Sequence, residues 1–271
     1  MVGIDLASVA ARTGVAVLDV RDERMVATLG ADGHDAGLAA LVGAHTVVGL
    51  DAPLGWPDDF VRAIGAHARL EEWPVTTTTL GIPERENLRL RRTDRFVREL
   101  KLGSTPLSVS SDLIGVVAMR AAYLQSAWAS AWGQREPRDG SGRLVETYPA
   151  AALRAWGLLA ARGVRYKGEG GSDEKFRHLK ERERIIHTIE SICSSWLVVA
   201  TPLREEAVRS DHALDALVCA LVAVSAKLGV SVDVSDDDRA AARREGWIHV
   251  PSSSLSEIGA LFTSVESSDA I

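Results

Sequence analysis

The order of apolar runs in the first fifty residues constrains this chain more than any other feature. Apolar residues dominate 2–6, 13–20 and 25–29, with Gly14 and the charged run Arg21-Asp-Glu-Arg24 as breaks; the second break suits a hairpin turn. A helical pattern over 36–42 then leads to another apolar run at 46–50. Three strands in a meander, a helix and a fourth strand commit the chain to the α/β class. With 271 residues, 46% hydrophobic and 25% charged, it can bury a core without disulfide or metal staples. Cys193 and Cys219 fit neither a disulfide framework nor a zinc spacing, which points to two buried thiols in a reducing cytoplasm.

Beyond the first strands the chain turns out of the sheet at Ala52-Pro-Leu-Gly-Trp-Pro57. Residues from about 56 to 110 lack strand periodicity, contain four successive threonines at 76–79 and have a basic centre, so they read as a loop and helix insertion over the site. A helix is expected over 111–132, a strand over 143–147, a short helix after Pro149 ending near Gly157, and a polar helix over 173–192. The stretch Lys167-Gly-Glu-Gly-Gly-Ser172 reads as a mobile loop. Ser210 is placed to cap a helix over 211–228 that Gly229 ends, and 246–250 reads as a last strand. This gives one domain over 1–251 and a loosely held serine-rich tail over 252–271. No basic leader with an apolar core precedes the first strand, and the longest apolar run, 213–224, is too short to cross a bilayer.

Acidic residues end several of these runs. Asp5 follows Met1-Val-Gly-Ile, Asp51 follows Thr46-Val-Val-Gly-Leu, and Glu146 follows Arg143-Leu-Val. Asp211 and Asp215, one helical turn apart, share a face of the helix that begins at Asp211. Each acid has a bland alternative: a helix-dipole residue at Asp211, a turn-former before Pro53 at Asp51, a partner arginine for Glu146 or Asp215. Several converging acids would repel unless cations, protons or bases intervened. Oxygen-only ligands suit Mg2+ or Mn2+, and two such ions about 4 Å apart clamp the attacking and leaving oxygens of a phosphodiester.

A second constellation is basic. Arg85, Arg89, Arg91, Arg92, Arg95, Arg98 and Lys101 crowd one segment, where they either hold phosphate or form a solvated, internally paired helix face. Arg92-Thr93-Asp94 joins a donor fork, a hydroxyl and an acid, and Tyr166-Lys167 is a further candidate phosphate contact. The histidines lack zinc spacing; His212, beside Asp211, is the one placed to carry a proton. No dinucleotide-binding glycine pattern, Walker loop or serine-hydrolase elbow is present.

Seven blocks in order resemble the domain of unknown function 429 family: Gly3-Ile-Asp5, Gly49-Leu-Asp-Ala-Pro-Leu-Gly-Trp-Pro57, Arg92-Thr-Asp94, Val145-Glu-Thr-Tyr-Pro-Ala-Ala151, Tyr166-Lys167, Asp211-His-Ala-Leu-Asp-Ala-Leu217 and Glu245-Gly-Trp-Ile-His-Val-Pro251. The resemblance implies a ribonuclease H-like fold, with a mixed five-strand sheet whose second strand is antiparallel, and a nuclease activity. It implies Asp5, Asp51 and Asp215 or Asp211 as metal ligands, with Glu146 a family residue, and leaves Arg92, Asp94 and Lys167 as motif residues without assigned roles. Ile4-Asp-Leu-Ala7 lacks the small Gly/Thr phosphate turn of the related actin-like ATPases, which argues against ATP hydrolysis. The expectation is a metal-dependent nuclease or phosphodiesterase acting on nucleic acid or a small phosphorylated ligand, in which Asp5, Asp51 and Asp215 hold one or two magnesium ions, Glu146 or Asp211 completes the shell or orients water, and the arginine-rich segment holds the phosphate. The net charge of −6 favours a compact ligand over a long duplex. The alternatives are a non-catalytic anion- or nucleotide-binding module on the same fold, or an ATPase-like phosphotransferase.

Overall fold

The computed structural model describes residues 1–30, 32–74, 81–103, 105–159, 165–168 and 170–269, with side chains through 264. The threonines at 76–79 lie outside the described residues. Strands β1 (Val2–Asp5), β2 (Gly14–Arg21) and β3 (Arg24–Leu29) form the expected meander. The β2–β3 turn is Asp22-Glu23, both at positive φ, which matches a two-residue hairpin to the twist of its strands. Helix α1 (Asp35–Ala40) leads to β4 (Val48–Asp51). The insertion holds α2 (Asp58–Ala68), α3 (Ile82–Arg89) and α4 (Arg92–Glu99), and the chain returns through α5 (Ile114–Trp132) to β5 (Leu144–Glu146) and α6 (Pro149–Ala155). Then follow α7 (Ser172–Ile192), β6 (Leu197–Val199), α8 (Thr201–Arg209), α9 (Asp211–Lys227), α10 (Arg239–Glu245) and α11 (Leu255–Asp269).

The strands form one six-stranded sheet in the order β5-β4-β1-β2-β3-β6. Only β2 runs against the others. The sheet thus has one strand more than expected: β6 pairs in parallel with β3 through Met25, Val26 and Ala27. Its three residues are too short to show a period, which is why the sequence hides it.

Alternation along the strands sends side chains to two cores. Val2, Ile4, Val15, Val48, Leu50 and Leu144 meet Leu124 and Trp128 of α5 on one face. On the other, Ala16, Leu18, Met25 and Ala27 pack with α9 and with Ile185, Ile186 and Ile189 of α7. Helix α9 is buried on every side from Ala213 through Ser225, because it lies between the sheet and the outer helices.

Two further expectations change. Residues 246–250 form no strand, only single bridges from Ile248 to Glu146 and from Pro251 to Ser231. The Ile248 N–H donates instead to Thr93 Oγ1 at 2.7 Å, which takes it out of a ladder. The segment after Pro251 is helical rather than loose: Leu255, Ile258 and Phe262 of α11 are buried, and Gly259 sits so close to Trp196 that a Cβ would lie 2.1 Å from its ring. Ser210 occupies the N-cap of α9 as expected, but makes no side-chain capping bond. No helix among the described residues is long and apolar enough to cross a membrane.

Candidate metal centre

Strands β1 and β4 are parallel neighbours in matched register, Gly3 opposite Gly49 and Asp5 opposite Asp51. The two-residue period places all four on the face covered by α9. The glycines are what bring the helix down. A Cβ on Gly3 would lie 2.0 Å from the Ala216 carbonyl oxygen, one on Gly49 2.3 Å from that of Cys219, and one on Gly14 of β2 2.0 Å from that of His212. Helix α9 therefore rests its backbone on the sheet, and its second turn delivers Asp215 to the strand ends. One carboxylate oxygen each from Asp5, Asp51 and Asp215 all lie within 4.8 Å of one another.

Each acid is answered differently. Asp215 Oδ1 accepts the Tyr166 hydroxyl at 2.8 Å and Oδ2 the Lys167 ammonium at 2.7 Å. Burial pushes the Asp215 carboxyl up to about 6, against the opposing pull of Lys167. Burial, with the charge of Asp5 next in weight, holds Asp51 well above the usual carboxylate range. Asp5 Oδ2 lies 2.6 Å from His212 Nδ1, and that hydrogen bond raises the imidazole, against its burial. Lys167 is lowered by burial but raised more by Asp215, Tyr166 and Asp51, so it stays an ammonium. Three carboxylates thus converge where Lys167 and His212 are the cations at hand, and the formal excess is of acid over base.

Glu146 goes elsewhere, and parity explains why. In the β4–β5 register Glu146 faces Leu50, so it shares the α5 face of Leu50 and Leu144 rather than the α9 face of Asp51. There it meets the buried Arg91, whose Nη1 donates to Oε2 at 2.9 Å and whose Nη2 lies 2.7 Å from Oε1. The same guanidinium donates from Nε and Nη2 to Asp94 and from Nη1 to the Glu245 carbonyl. Burial lowers the Arg91 pKa, but Asp94 and Glu146 outweigh it and raise it further. Burial raises Glu146, with Arg91 opposing. The residue that follows Asp51 in register is Thr147, whose hydroxyl donates to Cys219 Sγ of α9 at 3.1 Å.

Among the other expected site residues, Asp211 opens α9 half-buried and stands outside the cluster of three. Thr93 and Asp94 are buried, the first accepting from Ile248 and the second from Arg91. Arg92 pairs at the surface with Asp238 at 2.6 Å. Tyr166 and Lys167 are the motif residues that reach the carboxylates.

The family model described as "Protein of unknown function (DUF429)" matches residues 3–240. The chain belongs to the DUF429 family. No curated protein and no solved structure matches it. The match contains Asp5, Asp51, Asp215, Tyr166, Lys167 and the Arg91 network except for Glu245, and it ends before the block Glu245–Pro251.

In this DUF429 chain two depressions flank the carboxylates. One, of about 240 Å3, reaches Asp51 and Lys167 and has apolar walls at Pro53, Leu107, Ile114 and Ile248. The other, of about 510 Å3, reaches His212 and runs past Arg12, Thr13 and His34. The basic segment is largely spent on internal partners: Arg89 donates to Ser111, Arg95 to Asn87 and Leu90, and Arg98 pairs with Glu86. Sequence reasoning missed Arg91 and Glu245 as organisers. Glu245 accepts the first backbone N–H of α2 from Asp58 and that of α4 from Arg92, at 2.8 and 2.7 Å. The available signal for Arg91 was its three-residue spacing to Asp94 at a helix start, a capping-box pattern with an unusual residue at the cap.

Proposed function

We propose that the protein hydrolyses phosphodiester bonds with a divalent cation, Mg2+ or Mn2+, held by Asp5, Asp51 and Asp215 on a ribonuclease H-like sheet. The fold reading draws support from strands β5-β4-β1-β2-β3, which make a mixed five-strand sheet with β2 antiparallel, β6 being an addition at the edge. The observation that carries the activity is the convergence of three oxygen donors from three elements within 4.8 Å. At magnesium–oxygen distances of about 2.1 Å, adjacent octahedral ligands lie about 3 Å apart, so side-chain shifts on the order of 1–2 Å would close the three oxygens on one ion. The formal excess of carboxylate over ammonium suits a divalent ion as well.

Such an ion supplies Lewis acidity toward a phosphoryl oxygen. The chain does the rest. Asp51 and Asp215, raised by burial and by the nearby charge of Asp5, would give up their protons to positive charge brought into the site. His212 holds its Nδ1 on Asp5 and keeps that carboxylate oriented. Lys167 borders the 240 Å3 cleft together with Asp51, where an ammonium attracts a phosphate oxygen. The apolar walls of that cleft suit a ring of nucleoside size rather than the width of a duplex.

A second reading, an anion-binding module without catalysis, has one observation behind it: Lys167 and His212 already answer two of the three acids. Hydrolysis of bis(4-nitrophenyl) phosphate and of labelled DNA and RNA oligonucleotides, with Mn2+ and with chelator, separates the two. The proposal expects manganese-dependent cleavage that Asp51→Asn abolishes. Nucleotide binding without turnover at any metal concentration would leave the binding module.

A further inference from the structure

Granted the metal-dependent reading above, we infer that the centre takes a single divalent cation and that the Lys167 ammonium stands where a second would sit. The first ground is the state of Asp215. A carboxylate shared by two ions must offer an oxygen to each, yet Oδ1 already accepts the Tyr166 hydroxyl at 2.8 Å and Oδ2 the Lys167 ammonium at 2.7 Å. Each oxygen keeps one lone pair that can meet an ion on the Asp5 and Asp51 side, while the Lys167 side already holds a cation.

The second ground is that Lys167 is built in. It neighbours Tyr166, which is buried and whose carbonyl accepts from Arg182 Nη1 at 2.6 Å. Arg182 also donates to the carbonyls of Val208 and Arg209 at the end of α8, so the short segment carrying Lys167 is tied to the helix that precedes α9. An ammonium held this way costs less ordering than a loose surface lysine when a ligand arrives. Its side chain retains 39% exposure and lines the cleft beside Asp51 and Thr147. It can therefore touch a phosphate oxygen while remaining bonded to Asp215.

The third ground is charge. Counted formally, the three ligand carboxylates and Lys167 sum to −2, one divalent ion brings them to neutrality, and a second would leave +2 beside the buried Asp215 and the half-buried Asp5 and Asp51. Removing the lysine charge cancels that preference: one ion then leaves −1 and two leave +1.

The test is a Mn2+ titration of chelator-stripped wild type, Lys167→Gln and Lys167→Arg by calorimetry. Free Mn2+ is counted from its magnetic-resonance signal, and thermal melts report folding. The wild type is expected to take one ion per chain, and Lys167→Arg one ion with similar affinity. Lys167→Gln should bind its first ion at least about tenfold more tightly, because a positive charge a few ångströms away is gone, and should admit a second. Diesterase activity of Lys167→Gln should fall although its metal affinity rises, a split that a merely structural lysine would not give. Two ions in the wild type, or a folded Lys167→Gln that binds no more tightly, overturn this inference and leave the carboxylate metal site standing. No ion in the wild type overturns both. Should Lys167→Gln not fold, the wild-type stoichiometry decides alone.

Discussion

Substituting Gly3 by alanine tests whether the glycines of the strands bring the three carboxylates together. The new Cβ would lie 2.0 Å from the Ala216 carbonyl oxygen, 2.5 Å from the Ala220 nitrogen and 2.8 Å from the Ala220 Cβ. Ordinary contact begins near 3.4 Å, so α9 must lift or slide by more than 1 Å over β1. All three obstructing atoms belong to a helix backbone or its first carbon, and none can swing aside. Overpacking of this kind costs about 3 kcal/mol, and more if the helix cannot move as a body. For a chain of this size that is a fall in Tm of roughly 6–12 °C. Because Asp215 rides on the displaced helix, the three oxygens would also spread beyond their present 4.8 Å, and Mn2+ affinity should drop in the folded variant. Urea unfolding and Mn2+ calorimetry measure the two effects. Gly43→Ala is the control, since its Cβ would meet only Thr46 Oγ1 at 3.7 Å. A Gly3→Ala protein as stable as Gly43→Ala, with unchanged metal affinity, would refute the reasoning.

Other perturbations follow from the same structure. Arg91→Met strands Asp94 and Glu146 in the interior without their cation, and urea unfolding should register a loss of about 3–5 kcal/mol; a loss under 1 kcal/mol would mean that water or another base reaches them. His249 is held neutral by burial, its pKa pushed down to about 4, with Nε2 on the Asp139 carbonyl and Nδ1 without a partner. The unfolded chain binds that proton below about 6.5, so stability is flat above this pH and is lost as pH falls from 6.5 to 4. Compared with wild type, His249→Gln should flatten this pH dependence by up to about 3 kcal/mol, and parallel curves for the two proteins would contradict the assignment. Cys193 and Cys219 are buried, with burial pushing the first thiol up to about 12 and the second well above its usual value, so an aromatic disulfide reagent should titrate neither in the native protein and both in denaturant. Fast native reaction of either would place it at the surface.

Much of the fold was legible because the strongest signals are periodic and long. The meander, the helix before β4 and the helices now seen as α5, α7 and α9 stand within a few residues of where their patterns put them. What escaped was short or depended on distant partners. Three residues of β6 carry no period, and 246–250 resembles a strand until the hydroxyl of Thr93, from the insertion, captures its N–H. The candidate site divides the same way. Asp5 and Asp51 could be paired because each ends an apolar run after a Gly-x step, Gly3-Ile-Asp5 and Gly49-Leu-Asp51, and that repetition also marks where α9 must come close. Glu146 also ends an apolar run, but a shift of one residue in register turns it to the other face, and only the pairing of β4 with β5 reveals the shift. Lys167 was visible as part of a motif, whereas its target, Asp215, depends on a contact between residues 48 apart.

The central claim is that Asp5, Asp51 and Asp215 form one divalent-cation site from which Glu146 is excluded. Calorimetric titration of Mn2+ into chelator-stripped wild type, Asp5→Asn, Asp51→Asn, Asp215→Asn and Glu146→Gln tests it most directly, with circular dichroism confirming that each variant is folded. Saturable binding in the wild type, retained by Glu146→Gln and weakened at least about tenfold by each aspartate substitution, is the predicted result. No binding to the wild type, or folded aspartate variants that bind as well as it does, would contradict the claim.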